Sequence, residues 1–283
     1  MISNYPHIII AGFPRCGTTS LYETLIQSDL FVGPRIKEPN FFTLHHGRGS
    51  DWYDQLWPRT SADPTVTRIE ASTTFGFSER SAQLGIRRLS QVNPHVRLIF
   101  MFRDPVERAV SHYAYRQARD GYIWKSASEC IARHPEVVAA SHYSAILRAV
   151  ADNLPVDQIH LVPMAQALTD EGLKEICQFV GFESGALSDL AIGHKNSSPT
   201  NRSLAVRLSG LAGNHKMRKR LLRVVPRPVV VASREALFNR RGGRQRVVSS
   251  EDEAYIRSAV QNLARVDLPT VLSDKLAIAR DSG

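Results

Sequence analysis

The feature that most constrains the fold is an apolar run that leads into a glycine-rich loop and then into a helix-forming segment. Residues 7–11 (HIIIA) are almost all apolar and predict a buried strand of a parallel sheet. The loop 12–17 (GFPRCG) follows, and residues 18–27 carry apolar side chains at helical spacing. Because glycines permit a tight turn and a helix N-terminus attracts anions, this unit predicts a phosphate-binding loop in an α/β protein.

The same order of strand, loop and helix recurs along the chain. We predict further strands over 96–102 and 159–162, and helices over 106–119, 141–152, 169–180 and 251–264. Alternation of this kind indicates βαβ units. The predicted fold class is therefore α/β, with a P-loop-like, mostly parallel β-sheet flanked by helices. Residues 33–65, which are rich in proline and glycine, are expected to be irregular.

Length and composition favour one domain. The chain has 283 residues, of which 43% are hydrophobic and 22% charged, so we expect a single domain over 1–283 with a nucleotide-binding core at about 7–182. The three cysteines form no CxxC pair, which favours neither a disulfide nor a zinc site and suits a reducing, cytoplasmic setting. No apolar run reaches the roughly 18 residues of a membrane span, and the first residues lack the pattern of a signal peptide.

The net charge of +9 is concentrated in one stretch of the chain. Residues 202–246 hold thirteen Lys and Arg against the single acid Glu235, a local charge of +12, within a basic C-terminal portion at about 195–283. Such a stretch suits an anionic ligand, a transient contact with an anionic membrane or carrier, or a solvated surface. A nucleic-acid-binding module is less favoured, because Phe238 is the only Phe, Tyr or Trp available there for base stacking.

The glycine-rich loop departs from a nucleotide P-loop at one position. Residues 12–19 match the spacing G-x-x-x-x-G-K-[ST], but Thr18 stands where a lysine would reach the β- and γ-phosphates. A kinase or nucleotidase that uses ATP and Mg²⁺, with Asp104 on the metal, is therefore the weaker alternative. A single 5′-phosphate group would still be held by the backbone, Arg15, Thr18 and Thr19. The alternative interpretation is that the loop binds no anion and is a plain turn before a helix.

A second anion motif follows the predicted strand 96–102. Arg103 comes directly after this strand, at the sheet edge where open α/β folds bind ligands. Arginine forms bidentate, charge-assisted bonds with phosphate, and Ser111 lies about two helical turns further on, so both are predicted to bind one phosphate. The alternative is that Arg103 pairs with a nearby acid and Ser111 lies on a helix surface.

Four segments together resemble a known family. They are 12–21 (GFPRCGTTSL), 37–42 (KEPNFF), 69–74 (IEASTT) and 103–113 (RDPVERAVSHY). In order and spacing they resemble the sulfotransferases that use 3′-phosphoadenosine 5′-phosphosulfate (PAPS), in particular the carbohydrate, heparan-type branch, over about residues 7–182. The resemblance implies in-line transfer of a sulfuryl group to a hydroxyl or amine of a small-molecule, sugar or lipid acceptor. It also implies release of 3′,5′-adenosine bisphosphate, and no metal.

The resemblance also assigns roles to residues of this chain. The cofactor-binding set that it implies comprises Arg15, Cys16, Gly17, Thr18, Thr19, Ser20, Arg103, Ser111 and, by a looser match, Lys195 and Arg202. In the heparan-type branch the acid of the second segment is the catalytic base, and Glu38 matches it here. His45, His46 and Glu70 remain rival candidates for the base.

Two departures from the family pattern concern the leaving group. Arg15 and Ala71 stand at positions where the family often carries lysines. Arginine is planar and does not give up a proton, so it differs from lysine in how it assists a leaving phosphate. We expect Lys37 to substitute for one of these lysines, which makes Glu38, Arg15 and Lys37 the predicted catalytic set.

The sequence leaves the acceptor and the oligomeric state open. Trp52, Tyr53 and Trp57 follow the predicted base within the proline- and glycine-rich stretch. Aromatic side chains there would either stack on a sugar or aromatic acceptor or pack in the core.

Overall fold

A five-stranded parallel sheet lies at the centre of the described part of the chain. The structure is a computed structural model that describes residues 6–58, 66–182 and 248–263. The strands are β1 (Ile8–Gly12), β2 (Phe31–Val32), β3 (Thr67–Glu70), β4 (Arg97–Phe102) and β5 (Ile159–Pro163). Their order in the sheet is β2-β3-β1-β4-β5, and every neighbouring pair is parallel. The predicted α/β class with a P-loop-like parallel sheet is confirmed.

Helices connect and flank the strands. The α-helices are α1 (Thr18–Leu25), α2 (Ser50–Asp54), α3 (Glu79–Val92), α4 (Pro105–Arg119), α5 (Ala127–Arg133), α6 (Glu136–Ala139), α7 (Tyr143–Ala151), α8 (Asp170–Val180) and α9 (Ser250–Gln261). A π-helix spans Phe41–His45, and 3₁₀ turns span His46–Arg48, Thr73–Gly76 and Val156–Gln158. Ser78 caps α3 by accepting from the backbone N–H of Ser81, and Gly181 ends α8 in the left-handed conformation.

The central position of β1 in the sheet explains why residues 7–11, from which the fold was predicted, are almost all apolar. All five of its residues are buried, because it lies between β3 and β4 and both faces of the sheet are covered. Ile9 lies opposite Glu70 of β3 on one side and opposite Leu98 of β4 on the other. A strand in this position has no solvent face, so it carries no alternating polar residues.

The connectivity places a crevice at one edge of the sheet. From β1 the chain first builds β2 and β3 on one side and then crosses to build β4 and β5 on the other. Ligands of open α/β sheets bind at the carboxyl ends of the strands where the direction of winding reverses. Here that point lies at the end of β1, between the ends of β3 and β4.

Most predicted elements are confirmed with small shifts at their ends, and one expectation is wrong. Residues 33–65 were expected to be irregular, yet their described part contains the π-helix Phe41–His45 and the helix α2. The cause is packing: Phe41 and Phe42 are buried, and the Arg88 guanidinium donates to the carbonyl of Phe42 at 2.9 Å. Aromatic contacts and an arginine from α3 therefore stabilise helical turns that the local composition does not favour.

The contacts of the chain divide it into two units. One comprises Met1–Tyr113, Trp124–Ile192 and Ser249–Gly283, and the other Ala114–Ile123 and Gly193–Val248. Only 114–123 and 248 of the second unit lie within the described residues, and the single domain over 1–283 stays a prediction. Within the described residues, no helix is both long and apolar enough to cross a membrane.

Candidate active site

The loop between β1 and α1 has the geometry of an anion cradle. The N–H of Phe13 donates to the carbonyl of Met101 at 2.7 Å, which fixes the start of the loop against β4. Arg15 and Gly17 then adopt left-handed conformations, with φ of 70° and 80°. Gly17 precedes α1 and supplies no side-chain cap, so the positive end of the helix is left for a ligand.

Gly17 is required at its position for two reasons. Its φ lies in the left-handed region, which side chains rarely adopt. A Cβ atom there would also lie 3.1 Å from Cγ of Met164 and 3.3 Å from Cε of Met101. The loop is therefore packed closely against the ends of β4 and β5.

Lys37 joins the predicted base to the phosphate loop. Its ammonium group donates to Thr19 Oγ1 at 2.7 Å and to Glu38 Oε1 at 3.0 Å. The Lys37 and Glu38 side chains are 26% and 37% exposed, so the pair is partly desolvated but open to an incoming molecule. Of the predicted catalytic set, Lys37 and Glu38 thus lie together at the N-terminus of α1.

The segment that carries this pair is fixed by the residues after β3. The N–H of Ala71 donates to the carbonyl of Lys37 at 3.2 Å, and the N–H of Asn40 donates to Ser72 Oγ at 3.0 Å. Asn40 donates in turn to the carbonyl of Glu38 at 3.2 Å and accepts from Thr74 Oγ1 at 2.8 Å through its side chain. Asn40 was not singled out from the sequence, although its left-handed φ of 51° is a conformation that asparagine tolerates well.

The two arginines of the anion motifs each make hydrogen bonds within the protein. Arg15 Nε donates to Ser111 Oγ at 3.3 Å, so Ser111 connects the second motif to the first. Arg103 Nη2 donates to the carbonyl of Glu107 at 2.7 Å, within its own motif. Among the described residues, the buried Nε of Arg103 has no hydrogen-bond partner. It is a donor that a bound anion would satisfy.

A third arginine of the site was missed from the sequence. Arg108 is fully buried and donates to Ser141 Oγ at 2.7 Å and to the carbonyl of Val137. Burial chiefly, together with the nearby charges of Arg103 and Arg15, lowers its pKa to about 10 against an opposing effect of Tyr143 and Cys16. Three guanidinium groups within electrostatic reach of one another repel, and an anion among them relieves that repulsion. The only signal in the sequence was its place in the 103–113 segment.

Cys16 lies within the loop but does not present a reactive group. It is fully buried, and burial raises the pKa of its thiol to about 11. Its thiol lies 4.0 Å from the hydroxyl of Tyr143, which itself donates to the carbonyl of Arg103 at 3.1 Å. Cys16 therefore contributes its backbone and its packing to the site, and the other cysteines, Cys130 and Cys177, are likewise buried.

Among the rival bases, Glu70 has a different environment from Glu38. Its side chain is fully buried, and the hydroxyl of Tyr53 donates to its Oε2 at 2.5 Å. Burial raises the pKa of Glu70 to about 7, and the hydrogen bonds from Tyr53 and Ser72 oppose that rise. A carboxyl group with no exposed surface cannot contact an incoming acceptor, so Glu70 acts within the core.

The remaining candidates for the base and for a metal ligand make aromatic contacts or cap a helix. His45 and His46 contact the rings of Trp52 and Phe41, at 5.8 and 5.3 Å between ring centroids. Asp104, the metal ligand of the kinase alternative, accepts from the backbone N–H of Glu107 at 2.8 Å and so caps α4. Within the part of the chain that the structure describes, no three His, Cys, Asp or Glu are grouped as metal ligands would be.

The three aromatic residues that were considered for stacking on an acceptor differ in how deeply they are buried. Tyr53 and Trp57 are buried, so the hypothesis that they stack on an acceptor is wrong. Trp52 is only half-buried and keeps part of its ring accessible. Lys195, Arg202 and the basic stretch 202–246 lie outside the described residues.

Comparison with known proteins decides the family. A family model described as the sulfotransferase domain matches residues 5–192, well over half of the chain. The chain belongs to the sulfotransferase family. The predicted resemblance to the PAPS-dependent sulfotransferase family and its carbohydrate branch is confirmed, and that family is one of enzymes.

The relatives of this sulfotransferase are longer proteins. Human heparan sulfate glucosamine 3-O-sulfotransferase 6 is 37% identical over 111 residues, which are 39% of this chain and 30% of that protein. The human bifunctional heparan sulfate N-deacetylase/N-sulfotransferase 1 is 27% identical over 152 residues, 52% of this chain and 16% of that protein. The chain thus spans less than a third of the length of either relative.

A solved structure supports the fold. A sulfotransferase from Alicyclobacillus acidocaldarius superposes with a TM-score of 0.54 at 22% identity, and the match covers 64% of this chain and 82% of that one. At this identity the likeness concerns the arrangement of sheet and helices alone.

Proposed function

We propose that this sulfotransferase moves the sulfuryl group of PAPS to a sugar hydroxyl, with Glu38 as the base. The observation that carries the proposal is the position of Lys37, whose ammonium group lies between Thr19 of α1 and the Glu38 carboxylate. A cation and a base are thereby held at the N-terminus of α1, a helix end that attracts anions.

The residues present fit the two phosphate groups of PAPS. The loop N–H groups, the start of α1 and Arg15 suit the 5′-phosphosulfate. Arg103, with its unsatisfied buried Nε, and Ser111 suit the 3′-phosphate, which distinguishes PAPS from ATP. Arg108 adds a positive charge behind them without being exposed itself.

Each catalytic residue then has a separate task. When bound, PAPS supplies an activated sulfuryl group on its 5′-phosphate. Glu38 accepts the proton of the acceptor hydroxyl as the new S–O bond forms. Lys37 and Arg15 stabilise the negative charge that collects on the phosphate as its S–O bond breaks, which leaves 3′,5′-adenosine bisphosphate. Lys37 thereby substitutes for one of the two family lysines that are absent at positions 15 and 71.

The sugar acceptor is inferred from the relatives. Their names describe action on heparan sulfate and its glucosamine units. The family-model match over 5–192 includes the segment that carries Glu38, and the half-buried Trp52 follows that segment in the sequence. A hydroxyl of a saccharide is therefore the acceptor that we propose.

Binding and turnover test the proposal separately. Calorimetric titration with 3′,5′-adenosine bisphosphate without metal is expected to give micromolar affinity, and ATP with Mg²⁺ much weaker binding. Glu38→Gln is expected to keep the bisphosphate affinity and to lose at least about 100-fold in kcat for sulfuryl transfer from PAPS to a saccharide. Glu23→Gln, which changes an exposed acid of α1, is the matched control and should keep both.

Two results would contradict the proposed base or the proposed reaction. Full turnover by Glu38→Gln with any accepted saccharide would remove Glu38 as the base. Tighter binding of ATP with Mg²⁺ than of the bisphosphate would support a kinase or nucleotidase in place of the sulfotransferase reaction.

A further inference from the structure

Asn40 connects the segment that carries Glu38 to two other parts of the fold. Its backbone N–H donates to Ser72 Oγ, beyond the end of β3, at 3.0 Å. Its carbonyl accepts from two N–H groups of the π-helix Phe41–His45, at 2.8 and 3.0 Å. Its side-chain amide donates to the carbonyl of Glu38 at 3.2 Å. The peptide of Glu38 is thereby tied to the end of the sheet through one residue.

The carboxamide of Asn40 is held at its other end by Thr74. The Glu38 carbonyl can only accept a hydrogen bond, so the amide nitrogen faces it and Oδ1 faces Thr74. Thr74 Oγ1 donates to this Oδ1 at 2.8 Å and lies 2.6 Å from Thr43 Oγ1. Because Thr74 is buried, its hydroxyl gives the carboxamide a fixed partner that water does not replace.

The position requires three properties that asparagine combines. The φ of Asn40 is 51°, in the left-handed region that glycine and asparagine tolerate. The Glu38 carbonyl needs an N–H donor, and Thr74 needs an acceptor. Glycine would supply the backbone conformation alone. Aspartate would keep an acceptor for Thr74 but has no donor for Glu38.

Glu38 is fixed at two points, and Asn40 supplies one of them. Its carboxylate accepts from Lys37 at 3.0 Å, and Lys37 also donates to Thr19 of α1. Its carbonyl accepts from Asn40. A base transfers a proton at a heavy-atom separation of roughly 2.6–3.2 Å, and a displacement of about 1 Å can cost on the order of 100-fold in rate. The backbone contact therefore matters for the position of the carboxylate.

We propose that Asn40, held by Thr74, is the positioning residue of Glu38. It fixes the peptide of Glu38 against the residues after β3, and the carboxylate is thereby aimed at the acceptor hydroxyl. The inference rests on the proposed function, because the role of Glu38 as the base belongs to that function. Asn40 acts through the backbone of Glu38 and takes no part in the proton transfer.

Asn40→Gly tests the inference because it keeps the left-handed backbone and removes both side-chain hydrogen bonds. With PAPS and a saccharide, kcat should fall about tenfold or more, while KM and the affinity for 3′,5′-adenosine bisphosphate stay within about twofold. Asn40→Asp should lose kcat in the same way. Thr74→Val keeps the amide beside Glu38 but removes its fixed partner, so it should show a smaller loss of the same kind.

A double variant separates positioning from a general loss of stability. In a Glu38→Gln background, Asn40→Gly should cause no further fall in kcat, because no base remains to be positioned. Asn153→Gly is the matched control: its side chain also donates to a backbone carbonyl, that of Ala149 at 2.9 Å, and it should keep kcat. A full further loss in the double variant, or an equal loss in Asn153→Gly, overturns the inference.

Crystal structures of wild type and Asn40→Gly with the bisphosphate decide the inference without turnover. In the variant, the Glu38 carboxylate should move by about 1 Å or more from its place beside Lys37, while the π-helix stays where it is. An unmoved Glu38 overturns the inference whatever the rates. If Glu38 moves but PAPS supports no transfer to a saccharide by wild type, the proposed function fails and the positioning of Glu38 by Asn40 stands.

Discussion

Glu70 shows at the scale of one residue how burial sets the properties of an acid in this enzyme. It ends β3, is fully buried and has a pKa raised from its ordinary 4.5 to about 7. An acid whose pKa is raised on folding stabilises the folded state below its unfolded pKa, and this contribution is lost as pH rises through the folded pKa. We therefore expect the sulfotransferase to lose stability between pH 4.5 and 7 because of this residue, on the order of 3 kcal/mol.

Urea unfolding of wild type and Glu70→Gln at pH 5 and pH 8 measures this contribution. Glutamine keeps an oxygen that accepts from Tyr53 but does not ionise, so the variant should gain on wild type as pH rises. If the stabilities of the two proteins change in parallel between these pH values, the raised pKa of Glu70 is wrong.

Individual site residues were predictable from the sequence only where a motif named them. Glu38 and Lys37 stand in the KEPNFF segment, and the structure brings them to Thr19 of the phosphate loop. Arg108 was missed because an arginine in a helix is normally exposed, and only the tertiary packing around Ser141 shows that it is buried. The sequence shows which residue types a motif contains, but the hydrogen-bond partners of those residues depend on contacts between distant segments.

At the scale of an element, the junction of β1 and α1 depends on Gly17. Replacing it with alanine is expected to cost about 1–2 kcal/mol in stability, because an L residue is strained at a φ of 80°. The added Cβ also lies 3.1 Å from Cγ of Met164 and 3.3 Å from Cε of Met101, so that either these side chains or the loop must shift slightly. We expect Gly17→Ala to lower the affinity for 3′,5′-adenosine bisphosphate about tenfold or more, as measured by calorimetry.

Gly121 provides the control for backbone strain alone. Its φ is 79°, and a Cβ added there meets nothing within 4 Å. Gly121→Ala should therefore lose similar stability in urea unfolding and keep its affinity for the bisphosphate. Unchanged bisphosphate affinity of Gly17→Ala would show that the loop tolerates the shift and that its backbone geometry is not what binds phosphate.

Elements with a strong local signal were predicted well, and those built by tertiary contacts were not. The helix after 105 and the helix ending at Gly181 were read from proline and glycine signals. Helix α3 was missed although Ser78 caps it and Ala82, Ile86 and Leu89 recur at helical spacing. The π-helix Phe41–His45 has no such local signal, because it depends on aromatic packing and on an arginine from α3.

At the scale of the whole molecule, the site is assembled from segments that are distant in sequence. Arg15 follows β1, Lys37 and Glu38 follow β2, and Arg103 follows β4, so the parallel sheet brings their charges to one edge. The topology was predictable because strands and helices alternate. The concentration of positive charge is not a property of any segment alone, and it makes the folded protein dependent on an anion for part of its stability.

Thermal unfolding with and without 3′,5′-adenosine bisphosphate measures this dependence. At about 100 times its Kd, the ligand should contribute about 2.7 kcal/mol and raise the Tm of a protein of this size by roughly 5–10 °C. Arg103→Ala removes one of the repelling cations, so its Tm without ligand should equal or exceed that of wild type, while most of the ligand-induced rise is lost. Arg148→Ala, which removes an exposed arginine paired with Asp152, should keep the full rise. An undiminished rise in Arg103→Ala would place the 3′-phosphate elsewhere, since the ligand would then bind without the buried Nε of Arg103, which has no hydrogen-bond partner among the described residues.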